Sequence, residues 1–193
     1  MDQFIVYFET GFRHIADLKG IDHILFVMAL CIRYQFSDWK KLLILITSFT
    51  IGHSITLALS VFNVVNYSVA WIEFLIPVTI VITAISNLFV TKFTFKSKFP
   101  LIYFFALFFG LIHGLGFSNY LKSMLGKDES IIGQLLAFNL GLEAGQIIIV
   151  LAILLISFIF VQLLKWNRRE FLLFITGGVF AVALLMALER IPQ

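Results

Sequence analysis

The chain has 193 residues, of which 61% are hydrophobic and 13% are charged, and its formal net charge is +3. A typical soluble domain is about 45–50% apolar and roughly 25% charged, so a soluble fold of this length has too little interior for these side chains. The composition therefore excludes a soluble enzyme, a disordered regulator and an ordinary nucleic-acid-binding protein. It predicts an all-α, polytopic membrane helix bundle whose surroundings are the lipid bilayer.

Apolar stretches predict six transmembrane helices within a single integral membrane domain, residues 1–193. About 20 residues suffice for a helix to cross a bilayer, and every stretch except the first approaches or exceeds that length. Residues 1–19 carry too many charges to cross, so we expect them to form an amphipathic segment at the membrane interface. The six predicted spans cover residues 21–36, 42–66, 69–91, 99–121, 131–164 and 171–188.

The basic residues between the spans predict the orientation. Since the positive-inside rule places the side richer in Lys and Arg in the cytoplasm, both termini are expected outside a bacterial plasma membrane. The richer side holds Arg33, Lys40, Lys41, Lys92, Lys96, Lys98, Lys165, Arg168 and Arg169, and the other holds Arg13, Lys19, Lys122, Lys127 and Arg190.

Histidines and carboxylates lie where the bilayer disfavours them. An ionisable group inside a span costs on the order of 2.5–3.5 kcal/mol and marks a functional site by default. Helix rise places His23, His53 and His113 on three helices between the outer surface and the midplane, so these side chains can converge. Together with Asp22 and Glu143, and with no buried cation beside them, they suit a divalent transition metal or a proton path.

Two simpler readings stay open for these polar residues. Each histidine taken alone fits a packing residue that is hydrogen-bonded within the bundle. Glu73 lies near the outer end of its span, so it fits a solvated interfacial carboxylate as well as it fits a metal ligand.

Several motifs resemble the HupE/UreJ family of small bacterial membrane proteins. The resemblance implies a protein associated with nickel or cobalt uptake, often for hydrogenase or urease, with functional residues at His14, Asp22, His23 and His113. Seven residues separate His14 from Asp22, whereas the family usually has five. The motifs are Gly11-Phe-Arg-His14 with Gly20-Ile-Asp22-His23, Phe49-Thr-Ile-Gly-His53, His113-Gly-Leu-Gly-Phe, and Phe138-Asn-Leu-Gly-Leu-Glu143-Ala-Gly-Gln146.

Two functions of different classes fit this pattern. In a transporter of nickel, cobalt or zinc, Asp22, His23 and His53 capture the ion at the outer face, and His113 and Glu143 receive it deeper. In an intramembrane zinc-dependent hydrolase, three histidines hold the metal and Asp22 or Glu143 acts as general base on a lipid or lipid-linked substrate. Polar residues that end near the midplane favour hydrolysis, and the family association favours transport.

Overall fold

The computed structural model describes residues 3–18, 20–91, 93, 101–124 and 131–192. Within these residues, α3 to α7 are long and apolar enough to cross a membrane, α3 and α6 each together with an adjoining helical turn. The predicted all-α membrane bundle is therefore confirmed. The helices are α1 (Gln3–Ala16), α2 (Asp22–Cys31), α3 (Trp39–Val61), α4 (Val69–Leu88), α5 (Leu101–Met124), α6 (Ile131–Phe158) and α7 (Arg168–Glu189).

The first predicted span differs from the structure. Over residues 21–36, the helix α2 has only 10 residues, which is about 15 Å of rise and too short to cross by itself. It follows the 14-residue helix α1, and the chain between them passes through Gly20. Because short consecutive helices replace one continuous span, this part of the bundle resembles the discontinuous helices from which membrane transporters build binding sites.

The ends of α3 also differ from the predicted span, because hydropathy locates the apolar centre of a helix and not its ends. The helix begins at Trp39 and includes two lysines, whose long side chains can reach a polar surface from a helix end. It ends at Val61 because Asn63 adopts a left-handed conformation, with φ of 57°. The Val64 N–H then donates to the Leu59 carbonyl at 2.9 Å and closes the helix.

Helix α1 packs lengthwise on α6 with direct backbone contact. A Cβ atom on Gly141 would overlap the Phe8 carbonyl, one on Gly145 would lie 3.2 Å from the Phe12 carbonyl, and one on Gly11 would overlap the α6 backbone. Since Phe8 and Phe12 meet successive glycines of α6, the two helices run parallel. The N-terminal segment predicted at the interface is thus bound along α6 by small-residue packing.

Helices α3 and α5 form a second parallel pair of the same kind. A Cβ atom on Gly110 would overlap the Phe49 carbonyl, and one on Gly114 would overlap the His53 carbonyl. A Cβ atom on Gly52 would overlap the α5 backbone in turn. This contact fixes the depth of α3 relative to α5 and brings the histidines of both helices to one level.

We expect Gly141→Ala to destabilise the protein, because the added methyl group collides with backbone that cannot rotate away. Overpacking of this kind costs about 1–3 kcal/mol, which corresponds to a Tm lower by roughly 2–12 °C. Circular dichroism of the detergent-solubilised protein on heating measures the change. Gly177→Ala is the matched control, since nothing lies within 4 Å of a Cβ atom there, and its Tm should not fall. Equal Tm values for the two variants would contradict the backbone contact.

Candidate metal centre

Four histidines from four helices meet in the bundle. The ring centroid of His23 on α2 lies 4.5 Å from that of His14 on α1 and 5.1 Å from that of His113 on α5. The ring of His53 on α3 lies 5.9 Å from His14 and 6.2 Å from His23. The structure thus brings together the three histidines that helix depth places at one level and the fourth that the family resemblance implies.

The ring nitrogens of this histidine cluster are short of hydrogen-bond partners. Within the described part of the chain, five buried ring nitrogens have none: Nε2 of His14, Nε2 of His23, both nitrogens of His53, and Nδ1 of His113. A buried polar group without a partner costs about 1–3 kcal/mol. A neutral imidazole has one lone-pair nitrogen, so the four rings offer up to four lone pairs in one place. Such a group fits a site that receives a cation, and imidazole nitrogen is a ligand of nickel, cobalt and zinc.

The four rings are close together, but they do not form a coordination shell. Among the described residues, no three His, Cys, Asp or Glu side chains already stand in metal-binding geometry. Imidazole nitrogens bind zinc at about 2.0–2.1 Å, so the rings must turn towards a shared point when an ion enters. Imidazole nitrogens are donors that fit a transition metal.

Asp22 orients His23 within the cluster. The Nδ1–H of His23 donates to Oδ1 of Asp22 at 3.2 Å, because an ionised carboxylate only accepts. The lone pair of His23 is therefore on Nε2, one of the nitrogens without a partner. Oδ2 of Asp22 lies 3.4 Å from the guanidinium of Arg190, at the end of α7. This carboxylate thus acts beside the histidine cluster as its orienting partner.

A cavity of about 300 Å³ leads to the cluster. His14, His23 and His113 line its inner part, and the exposed carboxylates Asp17 and Glu73 line it towards the surface. The structure therefore places Glu73, for which the sequence left two roles open, at the mouth of the cavity that ends on the histidines. Carboxylates at such a mouth raise the local concentration of cations.

Aromatic rings enclose the cluster on its other sides. The ring of Phe117 lies 3.8 Å from that of His14, and the ring of Phe138 lies 6.3 Å from that of His53. Such a shell controls the access of water and strengthens the attraction between ligands and ion. The ring of Phe49 also belongs to this shell, 5.9 Å from that of His53. The sequence analysis did not assign it there, although Phe49 precedes His53 by four residues, which places both on one face of α3.

Glu143 takes part in a polar contact between α3 and α6. Its Oε1 accepts a hydrogen bond from Thr47 at 2.6 Å, and Oε1 of Gln146 accepts one from Thr50 at 2.8 Å. We call these four residues the α3–α6 seam. Thr47 precedes His53 by six residues, so the seam extends about 9 Å from that histidine towards the Trp39 end of α3.

Hydroxyl groups on α4 continue the polar interior in the same direction. Oγ1 of Thr79 lies 3.1 Å from Nε2 of His113, and the Thr83 hydroxyl donates to the Thr79 carbonyl at 2.8 Å. Ser86 donates to the Thr83 carbonyl at 2.7 Å and accepts from Arg33 at 3.1 Å. Polar groups thus extend from the cluster to the end of the bundle, farther than the sequence indicated.

The fold and the cluster define a class: a polytopic helical membrane protein with a buried histidine centre reached from one side through an acidic cavity. The family model described as HupE / UreJ protein matches residues 1–190. The chain therefore belongs to the HupE/UreJ family, which is associated with nickel and cobalt uptake. Neither a curated protein nor a solved structure matches the chain significantly.

Proposed function

We propose that the protein imports a divalent transition metal of the nickel, cobalt or zinc type through an intramembrane site in the outer half of the bundle. The observation that carries this proposal is the set of five buried, unpartnered ring nitrogens in a histidine cluster, three of whose rings line an acidic cavity. The ion is cargo, held by His14, His23, His53 and His113. The family link to hydrogenase and urease suggests a nickel enzyme as the destination of the metal.

The proposed orientation has both termini outside a bacterial plasma membrane, so that the cavity faces the metal supply. At the opposite end of the bundle, Arg168 donates to the Arg33 carbonyl at 2.8 Å and Lys41 pairs with Asp38 at 2.9 Å. These basic residues suit the cytoplasmic side. Lys19, Lys92, Lys96, Lys98 and Lys127, which also entered the charge count, lie outside the described residues.

Capture begins at the cavity mouth. The carboxylates of Asp17 and Glu73 attract the hydrated cation, and the pair of Asp22 and Arg190 stands beside its path. Ligand exchange from water to imidazole then follows at the cluster, where Asp22 keeps the Nε2 lone pair of His23 available. The enclosing aromatic rings favour direct ligation over retained water.

Release from the cluster uses the α3–α6 seam. The seam supplies a carboxylate, Glu143, together with hydroxyl and amide oxygens, and such oxygen ligands hold divalent ions more weakly than imidazole does. The hydroxyls along α4 end at the guanidinium of Arg33, which repels a cation. The seam is therefore the better route for the ion.

One observation favours a second function, an intramembrane zinc-dependent hydrolase. The cavity has room for part of a lipid or lipid-linked substrate. Asp22 lines this cavity beside His23, where it could serve as a general base for water on a bound zinc ion. Transport is the better-supported proposal, because the polar interior continues beyond the cluster.

Proteoliposomes test the proposal directly. Liposomes that contain the wild-type protein should accumulate Ni²⁺ or Co²⁺ in the lumen at a rate several-fold above that of protein-free liposomes, measured by elemental analysis after the external ion is removed. His113→Gln should reduce accumulation to the protein-free rate. Tight binding to the protein without accumulation in the lumen would refute transport and favour the hydrolase.

A further inference from the structure

The hydroxyl group of Thr79, on α4, faces the histidine cluster and has two polar neighbours. Oγ1 lies 2.6 Å from the Ile76 carbonyl oxygen and 3.1 Å from Nε2 of His113. A hydroxyl has one proton, and a carbonyl oxygen only accepts, so the 2.6 Å contact requires that proton. Thr79 therefore donates to Ile76, and its lone pair faces His113.

This assignment determines the tautomer of His113. Since Oγ1 of Thr79 can only accept from the ring, Nε2 of His113 must carry the proton. In the neutral ring, the lone pair is then on Nδ1, and this is the nitrogen of His113 that is buried without a partner among the described residues. The hydrogen bond that His113 donates to Thr79 and the unpartnered Nδ1 are thus consistent with the same tautomer.

The neighbouring histidine is held in the opposite form. Oδ1 of Asp22 accepts a hydrogen bond from Nδ1–H of His23, so the lone pair of this ring is on Nε2. His23 and His113, whose ring centroids are 5.1 Å apart, therefore present different nitrogens to the cluster. A charged carboxylate fixes one ring, and a neutral hydroxyl fixes the other.

We propose that Thr79 is a positioning residue that holds His113 in its Nε2-protonated tautomer, so that Nδ1 ligates the metal. The metal in this proposal rests on the proposed function. The tautomer of His113 rests on the hydrogen bonds alone. Thr79 touches no metal; it acts through the ring. Partners of this kind typically change metal affinity about 10- to 100-fold when they are removed.

The first test is the tautomer in metal-free protein, measured by ¹⁵N NMR of histidine-labelled samples, with His113 assigned through His113→Gln. In the wild type, Nε2 of His113 should be protonated and Nδ1 should not. Thr79→Val removes the hydroxyl at nearly constant volume and should mix the two tautomers. Wild-type protein with a proton on Nδ1, or a Thr79→Val spectrum identical to the wild-type spectrum, would overturn the proposal.

The second test is the affinity for Co²⁺, followed by its visible absorption. Thr79→Val should bind about 10- to 100-fold more weakly than the wild type, and Thr79→Ser should recover most of the loss because it restores the oxygen. Thr83→Val is the matched control, since among the described residues the Thr83 hydroxyl bonds only to a carbonyl of its own helix. Equal weakening by Thr79→Val and Thr83→Val, or no recovery with serine, would show a merely structural role.

The two tests separate this inference from the proposed function. Wild-type protein that binds no Co²⁺ would refute the metal site, while the tautomer measured in metal-free protein would still decide whether Thr79 orients His113.

Discussion

His53→Leu is expected to abolish high-affinity metal binding while leaving the metal-free protein as stable as the wild type or more stable. Both ring nitrogens of His53 are buried and lack a hydrogen-bond partner within the described residues, so the ring contributes an unpaired polar group to the folded protein. A leucine of similar volume removes that cost, which is about 1–3 kcal/mol. In the proposed site, His53 serves the metal and lowers the stability of the metal-free protein.

The measurement is a pair of thermal unfolding curves, with and without Ni²⁺. An ion that binds only the folded state stabilises it by about 2.7 kcal/mol at 100 times Kd, so the wild-type Tm should rise on addition of metal. The Tm of His53→Leu should not change when Ni²⁺ is added. This variant should bind Ni²⁺ more than about 100-fold more weakly than the wild type does.

Thr176→Val provides the matched control for this prediction. Thr176 lies on α7, is 1% exposed, and also has a buried oxygen without a partner in the described part of the chain. The variant should gain a similar stability and keep the full Tm rise with Ni²⁺. A Tm of His53→Leu that still rises with Ni²⁺ would show that His53 is a packing residue and not a ligand.

Glu143→Gln is expected to reduce Ni²⁺ accumulation by proteoliposomes about tenfold or more, with the affinity of the histidine cluster largely preserved. Glutamine keeps an Oε1 that accepts from Thr47, so the contact between α3 and α6 should survive. The charge is lost, and with it the anionic ligand that the proposed route offers beyond the cluster.

The same substitution at Glu9 is the control, because this carboxylate is exposed on α1 and pairs with Arg13. Glu9→Gln should accumulate Ni²⁺ at the wild-type rate. If Glu143→Gln and wild-type protein accumulate metal equally, the seam is not the route. If wild-type protein and Glu143→Gln both bind the metal but neither accumulates it in the liposomes, the hydrolase becomes the better explanation.

Hydropathy and helix rise were enough to predict most of the architecture. Five predicted spans correspond to α3 to α7, because apolar runs of that length have no other stable arrangement in lipid. The level shared by His23, His53 and His113 also followed from counting residues along each helix at about 1.5 Å per residue. The depth of a residue in the membrane depends only on its position along its own helix, so it can be predicted from a single sequence.

Contacts between helices were beyond that reasoning. The sequence predicted Glu143 as a ligand, but it did not give the hydrogen-bond partner of this carboxylate, Thr47 of α3. The packing of α1 along α6 depends on Gly11 and Gly141 facing each other, which no local pattern reveals. The role of Thr79 likewise required the distance from its oxygen to another helix.

The two glycine-packed pairs also limit how the site can open. Backbones that touch at Gly141 and at Gly110 cannot slide past each other without collision, so α1 moves with α6 and α3 moves with α5, each pair as a rigid body. His14 belongs to one body, and His53 and His113 belong to the other. In the proposed transport, a shear of one pair against the other would separate His14 from His53 and His113, and the same motion would part the α3–α6 seam.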